Sequence, residues 1–128
     1  MAEPSPITFR LIIPGRPINR NDRSHWTKHA RLKKQLRHTT QLICLETWGA
    51  PGRIPKLNWP VNITIQDCCR TANLRDTGNA DTKPIIDGIT DYGLWPDDSP
   101  QYVGTHTLLP ATKTGNDALI ITITTTRQ

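Results

Sequence analysis

The chain of 128 residues has few aromatic residues, few cysteines and no long apolar run. The aliphatic run from Leu11 to Ile13 ends at Pro14, whereas a membrane-spanning helix needs about 20 apolar residues. The first six residues (MAEPSP) have neither the basic nor the apolar region of a secretory signal. We therefore expect no membrane partner and a cytoplasmic location.

The cysteine count and the length narrow the class of protein further. The three cysteines, Cys44, Cys68 and Cys69, are an odd number and two are adjacent, so we expect reduced packing residues and not a disulfide framework. A chain of this length suits one domain, which we assign to residues 1–128. Because so small a domain has a modest core, its chemistry is expected on an open face and not in a deep cofactor cavity.

Charge is distributed unevenly along the chain, although the net charge is only +5. Residues 1–56 carry eleven basic and three acidic side chains, a net of +8, whereas residues 57–128 carry five and eight, a net of −3. The first part is therefore typical of a surface that binds a polyanion, and the second of a surface that binds cations.

Periodicity predicts six main secondary-structure elements. We expect strands at residues 7–13, 61–70, 102–109 and 118–126, and helices at residues 26–47 and 81–92. Ser24 is the expected cap of the first helix and Asp81 or Thr82 that of the second, while Gly49 and Gly93 end them. The order β-α-β-α-β-β predicts the α/β class in its mixed α+β form, with both helices on one side of a small mixed sheet. The last two strands are predicted to form a hairpin with a long loop over residues 110–117.

The first helix is predicted to have a basic face, formed by Lys28, Arg31, Lys34 and His38 with Lys33 and Arg37 beside them. Such a face is either a solvated surface or a phosphate-binding one. We interpret Trp48, Trp59 and Trp95 as packing residues, and Trp26 as an anchor of the helix start or a base-stacking residue. The four histidines lack metal-ligand spacing, so we interpret them as surface or phosphate-facing residues.

Six aspartates fall within residues 76–98: Asp76, Asp81, Asp87, Asp91, Asp97 and Asp98. Two carboxylates that converge would be enough for Mg²⁺, which keeps several waters and takes further oxygens from phosphate. The alternative is that Asp76 and the Asp97-Asp98 pair are ordinary turn residues.

The spacing of these residues resembles that of the RusA family of Holliday junction resolvases. The similar segments are Arg75 to Asn79 (RDTGN), Lys83 to Ile89 (KPIIDGI) and Gly93 to Asp98 (GLWPDD), followed by Val103. The resemblance covers about residues 73–104 and extends more weakly to residues 19–26 and the terminal strands. It departs from the family at Gly78, where the family has a second turn aspartate, and the turn is one residue longer. Asp81 could supply the missing carboxylate, or Asn79 and water could fill that position.

The resemblance implies a RusA-like fold and an endonuclease that uses Mg²⁺, with Mn²⁺ as an alternative, to resolve branched DNA in recombination and repair. It implies Asp76, Lys83 and Asp98 as catalytic residues, and Asp76 and Asp98 as metal ligands with Asp97 and Asp81 as further candidates. Asp87 matches the family's helix aspartate and could have a structural role beside Lys83. The resemblance also implies a homodimer, a phage or prophage origin, and hence a bacterial or phage-infected host cytoplasm.

Four-way junction DNA then becomes the expected partner of the basic part of the chain, because phosphate contacts need no particular base sequence. The residues predicted to bind DNA are Arg16, Arg20, Asn21, Arg23, Lys28, Arg31, Lys34, Arg37 and Arg75. Two other interpretations stay open: a catalytically weakened RusA-like protein that binds branched DNA, and a small interaction module whose acidic loop binds a basic protein.

Overall fold

The long elements follow the predicted order along the chain. The computed structural model describes residues 7–15, 18–19, 26–53, 57, 60–69 and 80–125. In chain order the elements are β1 (Ile7–Pro14), β2 (Ile18–Asn19), α1 (Trp26–Trp48), β3 (Val61–Cys69), β4 (Ala80–Asp81), α2 (Lys83–Tyr92), β5 (Val103–Lys113) and β6 (Ala118–Thr125). The fold is thus mixed α/β, and the described residues include no helix both long enough and apolar enough to cross a bilayer.

Four strands form the main sheet, in the order β1-β6-β3-β5. Strand β6 runs antiparallel to both β1 and β3, whereas β3 and β5 are parallel and are connected through α2. A parallel pair needs such a crossover because a tight turn can join only antiparallel strands. The short strands β2 and β4, which were not predicted, pair separately through Ile18 with Asp81 and Asn19 with Ala80.

The predicted hairpin between the last two strands is wrong, because β3 lies between β5 and β6. The crossover through α2 places β5 on one edge of β3, and β6 occupies the other edge. The connection between these strands is also shorter than the predicted loop, since β5 continues through Pro110 to Lys113. Proline lacks the N–H group of a central strand, and Pro110 is tolerated here because β5 is an edge strand with a register shift at this point.

The core lies between one face of the sheet and the two helices. Alternate residues of neighbouring strands are buried in register, as in the row Leu11, Ile121 and Ile65. Against them pack Ile85 and Ile89 of α2, both almost fully buried. On the opposite face, the described residues are exposed in β1 and half-buried in β6. One solvated face of this kind is typical of antiparallel pairs.

The predicted packing residues are confirmed where they are described. Trp95 is buried and donates a hydrogen bond from Nε1 to Thr90 Oγ1 at 2.7 Å. Trp48 contacts Phe9 edge-on, with the ring centroids 6.0 Å apart, and Tyr92 at a tilt, with the centroids 5.8 Å apart. Cys44 and Cys68 are buried, and burial raises the pKa of the Cys44 thiol to about 12. The side chains of Trp26, Trp59 and Cys69 and the expected cap Ser24 lie outside the described residues.

Both helices end at glycines, as predicted. Gly49 and Gly93 have φ of +83° and +98°, in the left-handed region that only glycine adopts freely. The backbone N–H of Gly93 bonds to the carbonyl oxygens of Ile89 and Thr90, which closes the last turn of α2. The chain can therefore turn sharply after α2 and carry Asp97 and Asp98 back toward the start of the same helix.

Candidate active site

The start of α2 is organised by the two residues before it. Thr82 is the N-cap residue, yet among the described residues its hydroxyl makes no capping bond. Instead Asp81 Oδ1 accepts a hydrogen bond from the backbone N–H of Lys83 at 3.1 Å. The helix begins at Lys83, two residues later than predicted, because Asp81 is extended in β4, and Thr82 is the one of the two predicted caps that holds the N-cap position. Pro84 fits the first turn, where an unbonded N–H would otherwise be left.

Lys83 lies between two carboxylates. Its Nζ is 3.3 Å from Asp87 Oδ1, one helical turn away, and 3.3 Å from Asp98 Oδ2 in the segment after the helix. The side chain is 69% exposed, so these ion pairs and not packing determine its position. The hydrogen bond from Lys83 to Asp87 and the charge of Asp87, followed by the bond to Asp98, raise the pKa of Lys83. The structure thus brings together two of the three predicted catalytic residues, and the third, Asp76, lies outside the described residues.

Asp87 in turn faces a cation on the other helix. Arg37 of α1 donates from Nε and Nη2 to the two oxygens of Asp91, at 2.6 and 2.8 Å. Its Nη1 is 3.9 Å from Asp87 Oδ2. The hydrogen bonds from Arg37 hold the pKa of Asp91 below its usual value. Carboxylates and cations therefore alternate across the surface in the order Asp98, Lys83, Asp87, Arg37, Asp91, which we call the charge row.

A cleft of about 560 Å³ opens between the two helices beside the charge row. Its lining residues are mostly charged: Lys33, Lys34, Arg37, Asp81, Lys83, Pro84 and Asp87. On one side of the cleft Lys33 Nζ is 3.1 Å from Asp81 Oδ2. The cleft therefore contains four basic side chains and two carboxylates, at the boundary between the basic and acidic parts of the chain.

A second cavity, of about 430 Å³, lies on the β5 side of Lys83 and is shared by Asp98 and His106. His106 pairs in register with Ile63, whose side chain is buried under the helices, so the two residues lie on the helix side of the sheet. Sequence reasoning interpreted His106 as a surface or phosphate-facing residue, and the structure places it exposed on β5 at this cavity. The period of two along β5 could have predicted this position, because it puts His106 on the same side of the sheet as Leu108.

The predicted metal ligands occupy different environments. Asp81 is buried beneath Lys33, Asp98 is half exposed, and Asp97 is exposed. Hydrogen bonds from the Ser99 hydroxyl and backbone N–H lower the pKa of Asp97, and the backbone bond to Oδ1 is 2.8 Å long. In the part of the chain that the structure describes, no group of three or more His, Cys, Asp or Glu side chains converges. The carboxylates of Asp81 and Asp98 nevertheless fit Mg²⁺ chemically, since this ion prefers oxygen ligands and binds through one or two carboxylates.

Three predicted DNA-binding residues, Lys28, Arg31 and Lys34, are exposed along α1. Arg37 is also exposed but is already engaged by Asp91. The remaining predicted residues lie outside the described part of the chain: Arg16, Arg20, Asn21, Arg23 and Arg75.

Neither a family model nor a curated protein matches the chain. The resemblance to RusA resolvases therefore stays a prediction from the motif residues.

Proposed function

We propose that the protein is a divalent-metal-dependent endonuclease that hydrolyses a phosphodiester bond in branched DNA and so resolves four-way junctions. The observation that carries this proposal is the position of Lys83 between Asp87 and Asp98, at the mouth of a cleft lined by lysines of α1. Hydrolysis of a phosphodiester requires a cation close to the reacting phosphate and carboxylates that can hold a metal. The neighbourhood of Lys83 provides both kinds of group.

The roles of the residues follow from their chemistry. Asp98 and Asp81, with Asp76 from outside the described residues, would hold Mg²⁺ or Mn²⁺, and Asp97 is a further candidate. When bound, the metal supplies charge neutralisation at the phosphate and activation of the attacking water. Lys83 is an ammonium at neutral pH, so it donates hydrogen bonds to the phosphoryl oxygens as negative charge develops on them, and it is not a general base.

The exposed face of α1 provides the contacts to the rest of the DNA. Lys28, Arg31 and Lys34 lie on this face, and Lys34 also lines the cleft beside Lys83. Each phosphate contact releases condensed counterions, so the affinity for DNA is expected to fall steeply with salt. Arg16, Arg20, Asn21, Arg23 and Arg75 would extend this surface. A four-way junction has two strands to cut, so a two-fold homodimer would bring one site to each.

The test is cleavage of a mobile four-way junction and of a linear duplex, each with Mg²⁺ or Mn²⁺. We expect the wild-type protein to cut the junction, while Asp98→Asn and Asp76→Asn bind it but do not cut. Glu46→Gln is the matched control, because it makes the same change from carboxylate to amide at the far end of α1. Retained metal-dependent cleavage in both aspartate variants would contradict the proposal.

Two other results would favour the other interpretations. Salt-sensitive junction binding without any cleavage by the wild-type protein would indicate a DNA-binding protein with a weakened site. The absence of salt-sensitive DNA binding would favour an interaction module of another class. The mass measured by light scattering with and without junction DNA tests the homodimer.

A further inference from the structure

Arg37 has a geometry that differs from that of the other basic residues on the exposed face of α1. Two of its nitrogens bond to the two oxygens of Asp91, at 2.6 and 2.8 Å, in the forked arrangement that a guanidinium forms with a carboxylate. This pairing connects α1 to α2 across 54 positions of sequence. Both nitrogens point toward protein oxygens and not outward, so they are directed away from a DNA phosphate.

The third guanidinium nitrogen of Arg37 faces Asp87, which also pairs with Lys83. Nη1 lies 3.9 Å from Asp87 Oδ2, and the other oxygen of Asp87 is 3.3 Å from Lys83 Nζ. The carboxylate of Asp87 therefore has a cation on each side. Because Lys83 is mostly exposed and its side chain has four rotatable bonds, it needs such partners to hold one orientation.

The backbone of Arg37 is also closely held. Gly88 of α2 packs directly against it, since a Cβ added at Gly88 would lie 2.5 Å from the Arg37 carbonyl oxygen. Thr40, one turn further along α1, is fully buried at the same contact. The guanidinium therefore extends from a backbone that has little freedom to move relative to α2.

We propose that Arg37 is a positioning residue: held by Asp91, it orients Asp87, and Asp87 places the ammonium of Lys83 toward Asp98. This inference depends on the proposed function for its consequence in cleavage. Arg37 is thereby assigned a role other than phosphate contact. Asp87 and Arg37 lie between Asp91 and Lys83 in the charge row, and Asp91 affects the reaction only by holding Arg37.

Two substitutions test whether Arg37 positions Lys83 or contacts a DNA phosphate. Arg37→Gln removes the cation, and Asp91→Asn leaves the cation but weakens its anchor. If Arg37 positions Lys83, both variants slow single-turnover cleavage at saturating junction by about tenfold, and Arg37→Lys restores only part of the rate because an ammonium cannot form the fork. The double variant is no slower than the slower single one, since both changes break the same connection.

The salt dependence of junction binding gives the second readout. The slope of log affinity against log salt changes by about 0.9 for each phosphate that the protein no longer neutralises. We expect Arg37→Gln to leave this slope unchanged and Lys34→Gln to reduce it. If instead Arg37→Gln reduces the slope without slowing cleavage, and Asp91→Asn tightens binding by freeing Arg37, then Arg37 is a phosphate contact and the proposal is wrong.

A third readout uses the protein without DNA, so that it does not depend on the proposed function. The rate at which an amine-reactive ester acylates Lys83 is measured by mass spectrometry, with the exposed Lys113 as the internal standard. We expect the ratio of Lys83 to Lys113 acylation to change several-fold in both Arg37→Gln and Asp91→Asn, because each substitution changes how Asp87 is held beside the ammonium of Lys83. An unchanged ratio would overturn the positioning role even if the wild-type protein proved not to cut DNA, and a changed ratio in an inactive protein would support the positioning role while the nuclease proposal failed.

Discussion

Replacing Gly88 by alanine tests how closely α1 and α2 must approach. In an exposed helix interior this substitution stabilises a protein by about 1 kcal/mol. Here the added Cβ would lie 2.5 Å from the Arg37 carbonyl oxygen and 2.6 Å from Thr40 Cβ, which is closer than such atoms can come. Because a backbone oxygen cannot rotate away, the helices must separate, and overpacking of this kind costs about 1–3 kcal/mol. We expect Gly88→Ala to lower the free energy of unfolding by up to about 2 kcal/mol in total.

The assay is urea unfolding followed by circular dichroism, with Thr39→Ala as the control. Thr39 is exposed on α1, one residue before Thr40, so its replacement adds helix propensity without a clash and should raise stability by a few tenths of a kcal/mol. Gly88→Ala should also change the acylation rate of Lys83, since separating the helices moves Arg37 away from Asp87. A Gly88→Ala protein more stable than the wild type would refute the packing argument.

Three further predictions concern single side chains. Asp91→Asn should lower the free energy of unfolding by about 1 kcal/mol at pH 7, a value kept small because the pair is partly solvated. Because Arg37 lowers the pKa of Asp91, this stabilisation is present above the ordinary pKa of the carboxyl group and is lost as the pH falls through the lowered value. The unfolding curves of the variant and the wild type should therefore converge in acid below that lowered pKa. Tyr92→Phe should cost about 1–2 kcal/mol in urea unfolding, because the Tyr92 hydroxyl donates to the carbonyl oxygen of Gly49 at 2.9 Å and that oxygen would lose its partner. Asp98→Asn should bind junction DNA up to several-fold more tightly than the wild type in EDTA, measured by fluorescence anisotropy; equal or weaker binding would argue against phosphate approaching Asp98.

Local patterns in the sequence predicted the helices and strands well, but they did not predict which strands pair with each other. Alternation in β3 and β6 and the glycine at the end of each helix are local signals, and those elements have nearly the predicted bounds. The partner of a strand is decided by tertiary packing. Strand β3 is inserted between two strands that are consecutive in the chain, which no residue of β5 or β6 indicates by itself.

The site shows the same division between local and distant contacts. The pairing of Lys83 with Asp87 could be predicted, because residues four apart lie on one face of a helix. The pairing of Arg37 with Asp91 could not, since it joins positions on separate helices. The spacing of α1 predicted an outward basic face, but Arg37, beside that face, pairs with Asp91 of α2.

The charges of the site explain why a divalent metal would be needed for the proposed reaction. The charge row has three carboxylates and two cations, a net of −1, and the neighbouring pair of Lys33 and Asp81 is neutral. A phosphodiester also carries one negative charge, so it would be repelled at Asp98 while the lysines of α1 attract the rest of the DNA. A divalent cation held by Asp98 would reverse the sign of this region, whereas a monovalent one would only cancel it. If the proposed function is right, the basic face of α1 would bind the DNA, and the charge row would admit its phosphate only together with a metal.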